Sequence, residues 1–267
     1  MRIIHFSDIH AGGPAEDFLA YIDKRWVGVF NYTYRRKFQH DLSRLEKAVS
    51  VILANPPDLI VCTGDLTSTG QPGEFAKVKA ILQRLVASGI PFFFIPGNHD
   101  YYVHRPKCVN YMKSMVEYLT GGRYTFADLP VMQRLNELDF IIVNESWPSN
   151  LLSSHGVLKP ESSRWVAEIC ARPPERPRVI IGHYPLIEDH PLLRMRHRLF
   201  GQKEVAALLR EGKIDLSLCG HVHKSYCKLD ASGRGETCAG SVTRNGCMSE
   251  IVYDQGKDMF IHRQITL

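Results

Sequence analysis

Seven residues of this 267-residue chain have the types and spacing to hold metal ions: Asp8, His10, Asp65, Asn98, His183, His221 and His223. Asp8 and His10 stand two residues apart. In extended chain alternate side chains point the same way, so both can reach one ion. His221 and His223 repeat that spacing. Asp65 and His183 each follow a glycine, which lets the backbone turn tightly. Asn98 lies in Gly97-Asn98-His99-Asp100, which presents an amide, an imidazole and a carboxylate in three consecutive residues. Two Asp, one Asn and four His form a mixed oxygen and nitrogen set. Calcium prefers oxygen alone, so the set points to other divalent cations: manganese first, with iron, zinc, cobalt or magnesium left open. Seven ligands exceed what one ion needs. They fit two ions sharing one carboxylate, with Asp65 the natural bridge. Taken singly, an Asp at a strand end is usually a turn or cap residue. The remaining histidines (His5, His40, His104, His155, His190, His197 and His262) are read as satisfied surface or core imidazoles. For the seven, that ordinary reading would have to hold seven times over at matching positions.

The elements that must position these groups show as apolar runs ending in polar turns. Ile3–Phe6 leads to Asp8 and His10, Leu59–Cys62 to Asp65, and Phe92–Ile95 to Pro96 and Gly97. Asp139–Val143 leads to Asn144-Glu145-Ser146-Trp147, a stretch placed to line the same pocket. Val179–Ile181 leads to His183, and Leu216–Cys219 to His221. Near-continuous apolar runs of this length predict strands covered on both faces. Apolar residues at three-to-four-residue spacing predict helices over 41–54 and 74–87, with shorter ones over 162–170 and 203–209. Strands alternating with helices imply βαβ units, whose ligands bind beyond the carboxyl ends of the strands. The six strand ends would then converge on one rim. Four short strands after residue 224 suggest an antiparallel sheet packed on the first. No internal repeat or linker divides the chain, so 1–267 is read as one domain.

Composition sets bounds. Hydrophobic residues make up 44% and charged residues 23%, ordinary for a soluble globular protein, and the net charge of +5 favours anionic partners mildly. No apolar run approaches the ~18–20 residues that span a bilayer, and no signal peptide precedes the first strand. Seven cysteines with no C-x-x-C pair fit a reduced, cytoplasmic setting, most of them small apolar filler. No basic and aromatic groove pattern asks for nucleic acid.

The ordered motifs Asp8-x-His10, Gly64-Asp65, Gly97-Asn98-His99-Asp100, Gly182-His183 and Gly220-His221-x-His223 resemble the five motifs of the calcineurin-like metallophosphoesterases. The resemblance implies a four-layer α/β/β/α sandwich of two mixed sheets flanked by helices. It implies that Asp8, His10, Asp65 and His223 hold one metal, and Asp65, Asn98, His183 and His221 the second. It also implies phosphoester hydrolysis. Two cations about 3.5–4 Å apart hold a hydroxide at neutral pH and neutralise the phosphoryl oxygens. His99, not a ligand, would face the substrate and protonate the leaving oxygen as general acid. Asp100 either orients or charge-stabilises His99 as a residue that helps bind substrate, or is a loop-capping carboxylate.

Two segments outside these motifs are candidates for choosing the substrate. In 17–37, Phe18, Leu19, Ile22, Trp26, Val29 and Phe30 form one helical stripe among Lys24, Arg25, Arg35, Arg36 and Lys37. Such a stripe suits a membrane-surface helix or a site for an amphipathic anionic lipid; the ordinary alternative is a core-packed helix with a basic rim. In 184–200, Arg194, Arg196 and Arg198 lie among apolar residues and could clamp phosphate oxygens; the ordinary alternative is a connection over the sheet edge. Lys24-Arg25-Trp26-x-Gly28 and Arg35-Arg36-Lys37 make the chain similar to bacterial pyrophosphatases of UDP-2,3-diacylglucosamine, a glycolipid of lipid A synthesis. That resemblance implies release of UMP and a lipid monophosphate by an enzyme peripheral to the inner face of the cell membrane. A soluble cyclic-nucleotide or other phosphodiesterase is the alternative, and a non-catalytic metal-binding scaffold the alternative of another class.

Overall fold

The computed structural model describes residues 1–148, 154–187 and 198–267. In the first half, strands β1 (Arg2–Phe6), β2 (Leu59–Cys62) and β3 (Phe92–Phe94) alternate with helices α1 (Arg25–Tyr34), α2 (Leu42–Ala54), α3 (Pro72–Ala87) and α4 (Pro106–Thr120). A hairpin of β4 (Val131–Leu135) and β5 (Leu138–Ile142) follows, then β6 (Gly156–Val157), α5 (Pro160–Ala171), β7 (Arg178–Ile181) and β8 (Leu199–Phe200). The last part holds α6 (Lys203–Arg210), β9 (Leu216–Cys219), β10 (Tyr226–Leu229), β11 (Gly235–Cys238), α7 (Val242–Asn245), β12 (Cys247–Asp254) and β13 (Met259–Thr266).

Two sheets result. One runs β13-β12-β1-β2-β3 and the other β10-β11-β9-β7-β5-β4. Within each, the strands that carry the candidate ligands are parallel: β1 with β2 and β2 with β3, then β5 with β7 and β7 with β9. Alternation along the second sheet sorts its side chains between two cores. Phe140, Ile142, Val179, Ile181, Leu216 and Leu218 join the core that lies between the sheets and under α2, α3 and α4. Ile141, Val143 and Ile180 turn the other way, against Val166 of α5 and Val205 and Leu209 of α6. This is the mixed α/β sandwich that the motifs imply.

Three local differences from the sequence reading have physical causes. The C-terminal strands do not form a sheet of their own: β10 and β11 extend the second sheet, and β12 and β13 extend the first beside β1. Helix α4 is not predicted by apolar spacing, because its buried Cys108, Met112, Met115 and Leu119 are diluted by polar residues. Strand β4 has no sequence signal either. As an edge strand it is only partly buried and lacks a continuous apolar run.

Segment 17–37 is inside out relative to an ordinary helix. It forms a 3-10 turn, Phe18–Tyr21, then α1, and ends in a second 3-10 turn that begins at Arg36. Its stripe faces water: Phe18 is 76% exposed, Ile22 63%, Phe30 57% and Trp26 48%. The side chain buried beneath is Arg25, whose Nη2 lies 3.0 Å from Asp17 and 2.9 Å from Asp23. A buried guanidinium tolerates that position only when its charge and donors are met, and two carboxylates meet them. The core-packed alternative therefore fails, and the segment forms an exposed aromatic collar held by an internal ion cluster. No helix among the described residues is long and apolar enough to cross a membrane.

Candidate metal centre

Every candidate ligand leaves the carboxyl end of a parallel strand, at the seam between the two sheets. The backbone is bent hard to do it. Asp8, His10, Asp65, His221 and His223 all have positive φ, between 52° and 68°. Side chains rarely adopt this region, at about 1–3 kcal/mol each, so the surroundings must hold it. They do. The N–H of Asp8 donates to Gly64 and that of His10 to Asp65, at 3.0 and 2.9 Å. Hydroxyls of Ser241, Thr243 and Ser68 donate to the carbonyls of Asp8, Ile9 and His10. Gly97 lets the third loop press against the second: a Cβ there would stand 2.1 Å from Asp65 Oδ1.

Two clusters form and share Asp65. Asp8, His10, Asp65 and His223 bring one atom each within 4.8 Å of one another, and so do Asp65, His183 and His221. Asn98 joins the second through its Oδ1, 3.2 Å from His183 Nε2 and 3.0 Å from His221 Nδ1. The donors fit cations. Each aspartate has one oxygen anchored and one bare: Asp8 Oδ2 accepts from His221 N–H at 3.0 Å, and Asp65 Oδ1 from His99 N–H at 2.8 Å. Asp8 Oδ1 and Asp65 Oδ2 are buried with no hydrogen bond. His10 and His223 point their Nε2 atoms at one place, 2.8 Å apart. Burial, His223 and Arg36 hold His10 well below its usual pKa, leaving a neutral imidazole with a lone pair to give. His183 differs: burial resists its charge, but Asp65 prevails and lifts it to about 10. Its Nδ1–H donates to Thr63 carbonyl at 2.5 Å, which turns Nε2 toward Asp65. The pull that draws a proton to that spot is the pull a cation answers.

A sequence profile of the calcineurin-like phosphoesterase family matches residues 1–225. The chain belongs to that family. A cAMP/cGMP dual specificity phosphodiesterase from Mycobacterium tuberculosis is 26% identical over 187 residues, covering 68% of this chain and 55% of the relative. A probable glycerophosphodiester phosphodiesterase from Arcobacter nitrofigilis is 26% identical over 180 residues, covering 63% and 57%. This chain spans about half the length of the curated relatives it matches. Among solved structures, a dimetal phosphatase from Danio rerio superposes with a TM-score of 0.63 at 13% identity over 98% of each chain. The purple acid phosphatase of yellow lupin gives 0.61 at 12%, over 99% of this chain and 51% of that one. At such identities the likeness speaks for the fold.

In this calcineurin-like phosphoesterase His99 stands beside the clusters without entering them. Its ring meets that of His10 edge-on at 4.8 Å and stacks on Tyr102 at 5.3 Å. Nδ1–H donates to Ser68 carbonyl at 2.7 Å. Arg36 Nη2 lies 3.2 Å from Nε2. Burial and Arg36 together push the imidazole down to about 3, so it is neutral. Asp100 takes the loop-capping role. It is buried, and its oxygens accept from Gly97 N–H, Thr67 N–H and the Thr67 hydroxyl at 2.9–3.0 Å. Both oxygens are thus bonded within the loop.

The other substrate candidates are less gathered. Trp26 stands on the exposed collar. Arg198 is exposed and stacks on Phe200, its guanidinium 4.4 Å from the ring centre. Arg194 and Arg196 lie outside the described residues. Asn144-Glu145-Ser146 proves to be a brace behind the ligands. Buried Glu145 accepts from Tyr184 N–H at 2.7 Å and sits under Gly182, and Ser146 donates to Pro96 carbonyl at 2.5 Å. Two residues at the site escaped the sequence reading as site residues. His40 reads in the sequence as an ordinary histidine, yet its ring lies 4.9 Å from His10 and 5.8 Å from His223. Arg36 was read only as one of a basic run, yet it reaches His99.

Proposed function

We propose that this chain hydrolyses phosphodiesters with two divalent cations, one held by Asp8, His10, Asp65 and His223, the other by Asp65, Asn98, His183 and His221. The observation that carries the reading is the pair of bare buried carboxylate oxygens, Asp8 Oδ1 and Asp65 Oδ2, set among imidazole nitrogens. Bound there, the cations supply an acidified water and neutralise charge on the phosphoryl oxygens. The chain's own residues orient the ligands and handle the proton. His99 Nε2 is the group to protonate the leaving oxygen. Because burial and Arg36 disfavour its charged form, it gains that proton together with the negative charge of the substrate.

A small phosphodiester, a cyclic nucleotide or a glycerophosphodiester, is the substrate that the named activities of the two relatives support. A second reading is favoured by the aromatic collar. Exposed Phe18, Tyr21, Ile22, Trp26, Phe30, Tyr34 and Phe38, with exposed Arg35 and Lys37, suit a bilayer surface and an amphipathic substrate such as UDP-2,3-diacylglucosamine. Protein loaded with Mn²⁺ separates these readings when offered cyclic AMP, glycerophosphocholine, bis-p-nitrophenyl phosphate and the glycolipid in mixed micelles. Turnover of the small diesters without action on the glycolipid supports the first and sinks the second. The reverse result does the opposite. Metal uptake with no turnover of any of the four leaves only the scaffold reading.

A further inference from the structure

The collar segment sends one side chain into the site. Arg36 opens the 3-10 turn Arg36–Phe38, which follows α1. Its Nη1 and Nη2 lie 3.3 and 3.2 Å from His99 Nδ1 and Nε2. Only Nε2 is an acceptor, since Nδ1 already gives its hydrogen to Ser68. A guanidinium carries five N–H donors in a planar fork, so a single ring nitrogen leaves most of them unanswered. Arg25, eleven residues earlier, shows the contrast: its fork is closed by Asp17 and Asp23. No carboxylate among the described residues forms an ion pair with Arg36, although it is partly buried.

Its neighbours sharpen the point. Past His99 stands His10, a ligand of the first cluster. Cations in both clusters would set positive charge close to a guanidinium that no carboxylate among the described residues pairs directly, and would answer the charge of Asp65, the nearest acidic influence on it. An anion lying between them meets both charges, and a phosphoryl group offers the oxygens in the spacing an arginine fork prefers. On the proposed reading of the centre, we infer that Arg36 binds a non-bridging oxygen of the substrate's phosphoryl group, on the side where His99 meets the leaving group. Arg36 is thus a substrate-binding residue contributed by the collar and not by the strand-end motifs.

The experiment compares wild type, Arg36→Ala and Arg36→Lys in the Mn²⁺-loaded protein. Calorimetry measures binding of inorganic phosphate, and bis-p-nitrophenyl phosphate gives kcat and KM. Losing a charge-assisted contact should weaken phosphate binding by about 10–100-fold and lower kcat/KM similarly, with manganese content and melting temperature unchanged. Lysine, which keeps the charge but not the fork, should recover part of the loss. The same comparison in a His99→Ala background separates direct contact from a role in holding His99. If Arg36→Ala still weakens phosphate binding there, the contact is direct. Unchanged phosphate affinity in either background overturns the inference. If wild type binds phosphate but turns over no diester, the hydrolase reading falls while the binding comparison still decides the role of Arg36.

Discussion

Gly97 offers a test of how tightly the shared ligand is held. Its φ is ordinary, so replacing it with alanine adds a methyl group without backbone strain. That methyl would sit 2.1 Å from Asp65 Oδ1 and 2.5 Å from Asp65 N. Non-bonded atoms need about 3.5 Å, so one side must retreat by roughly 1.4 Å. Neither has room. Asp65 Oδ1 is bonded to His99 N–H, and Gly97 N–H is bonded to Asp100. Overpacking of this kind costs about 1–3 kcal/mol. The larger effect is chemical, because Asp65 is common to both clusters. A displacement near 1 Å costs about 10²-fold in rate. We expect Gly97→Ala to fold, melt a few degrees lower, bind less than two manganese ions by elemental analysis, and turn over bis-p-nitrophenyl phosphate about 10²-fold more slowly. Gly256→Ala is the control: its methyl would meet only Asp254 Oδ1, at 3.4 Å, and should change nothing. A Gly97→Ala protein with two manganese ions and turnover within about twofold of wild type would refute the argument that the loops are in hard contact at Asp65.

His99→Ala should keep its metal while turnover falls at least ~10²-fold, read by elemental analysis beside a rate assay; equal turnover removes His99 from the mechanism. Chelation should lower the melting temperature, since cations that bind only the folded state stabilise it by about 2.7 kcal/mol at a hundredfold excess over Kd, and calorimetry with and without Mn²⁺ measures the shift. Burial raises the Glu74 carboxyl from 4.5 to about 7 against the pull of N–H groups at Thr69 and Gln71. Its neutral form is favoured in the fold, so its contribution is full below about pH 4.5 and lost as pH rises through about 7. Urea melts at pH 5 and pH 8 should show wild type losing up to about 3 kcal/mol relative to Glu74→Gln, and parallel pH dependences would contradict this.

The candidate centre was legible in the sequence because its candidate ligands sit at one kind of place, the end of an apolar run, where residue type marks them, and the structure brings their side chains together. The strands around them were legible for the same reason. Asp100 could not be resolved that way, since a carboxylate in a tight loop looks alike whether it faces the loop or the substrate. The collar was half visible. Spacing showed a stripe on one side of a helix, but periodicity does not say which side meets water, and only the pairing of Arg25 with Asp17 and Asp23 reverses the usual sense. Arg36 and His40 were hidden because their nearness to His99 and His10 comes from the path of the chain after α1, not from any local pattern.

The strand order has a consequence for how this protein comes into being. β1, the earliest strand in this sequence, is flanked in its sheet by β2 on one side and by β12 on the other. β12 begins at Cys247, after every candidate ligand, and the hydroxyls that hold Asp8 and Ile9 come from Ser241 and Thr243. On the ribosome, then, the opening loop meets β2 early but must wait for Ser241, Thr243 and β12 while more than two hundred residues follow. Contacts of such long separation form late and slowly. Metal capture at the candidate centre would accordingly wait for these late residues, and a nascent chain stalled before residue 241 should emerge with Asp8 and His10 present but unable to close a centre.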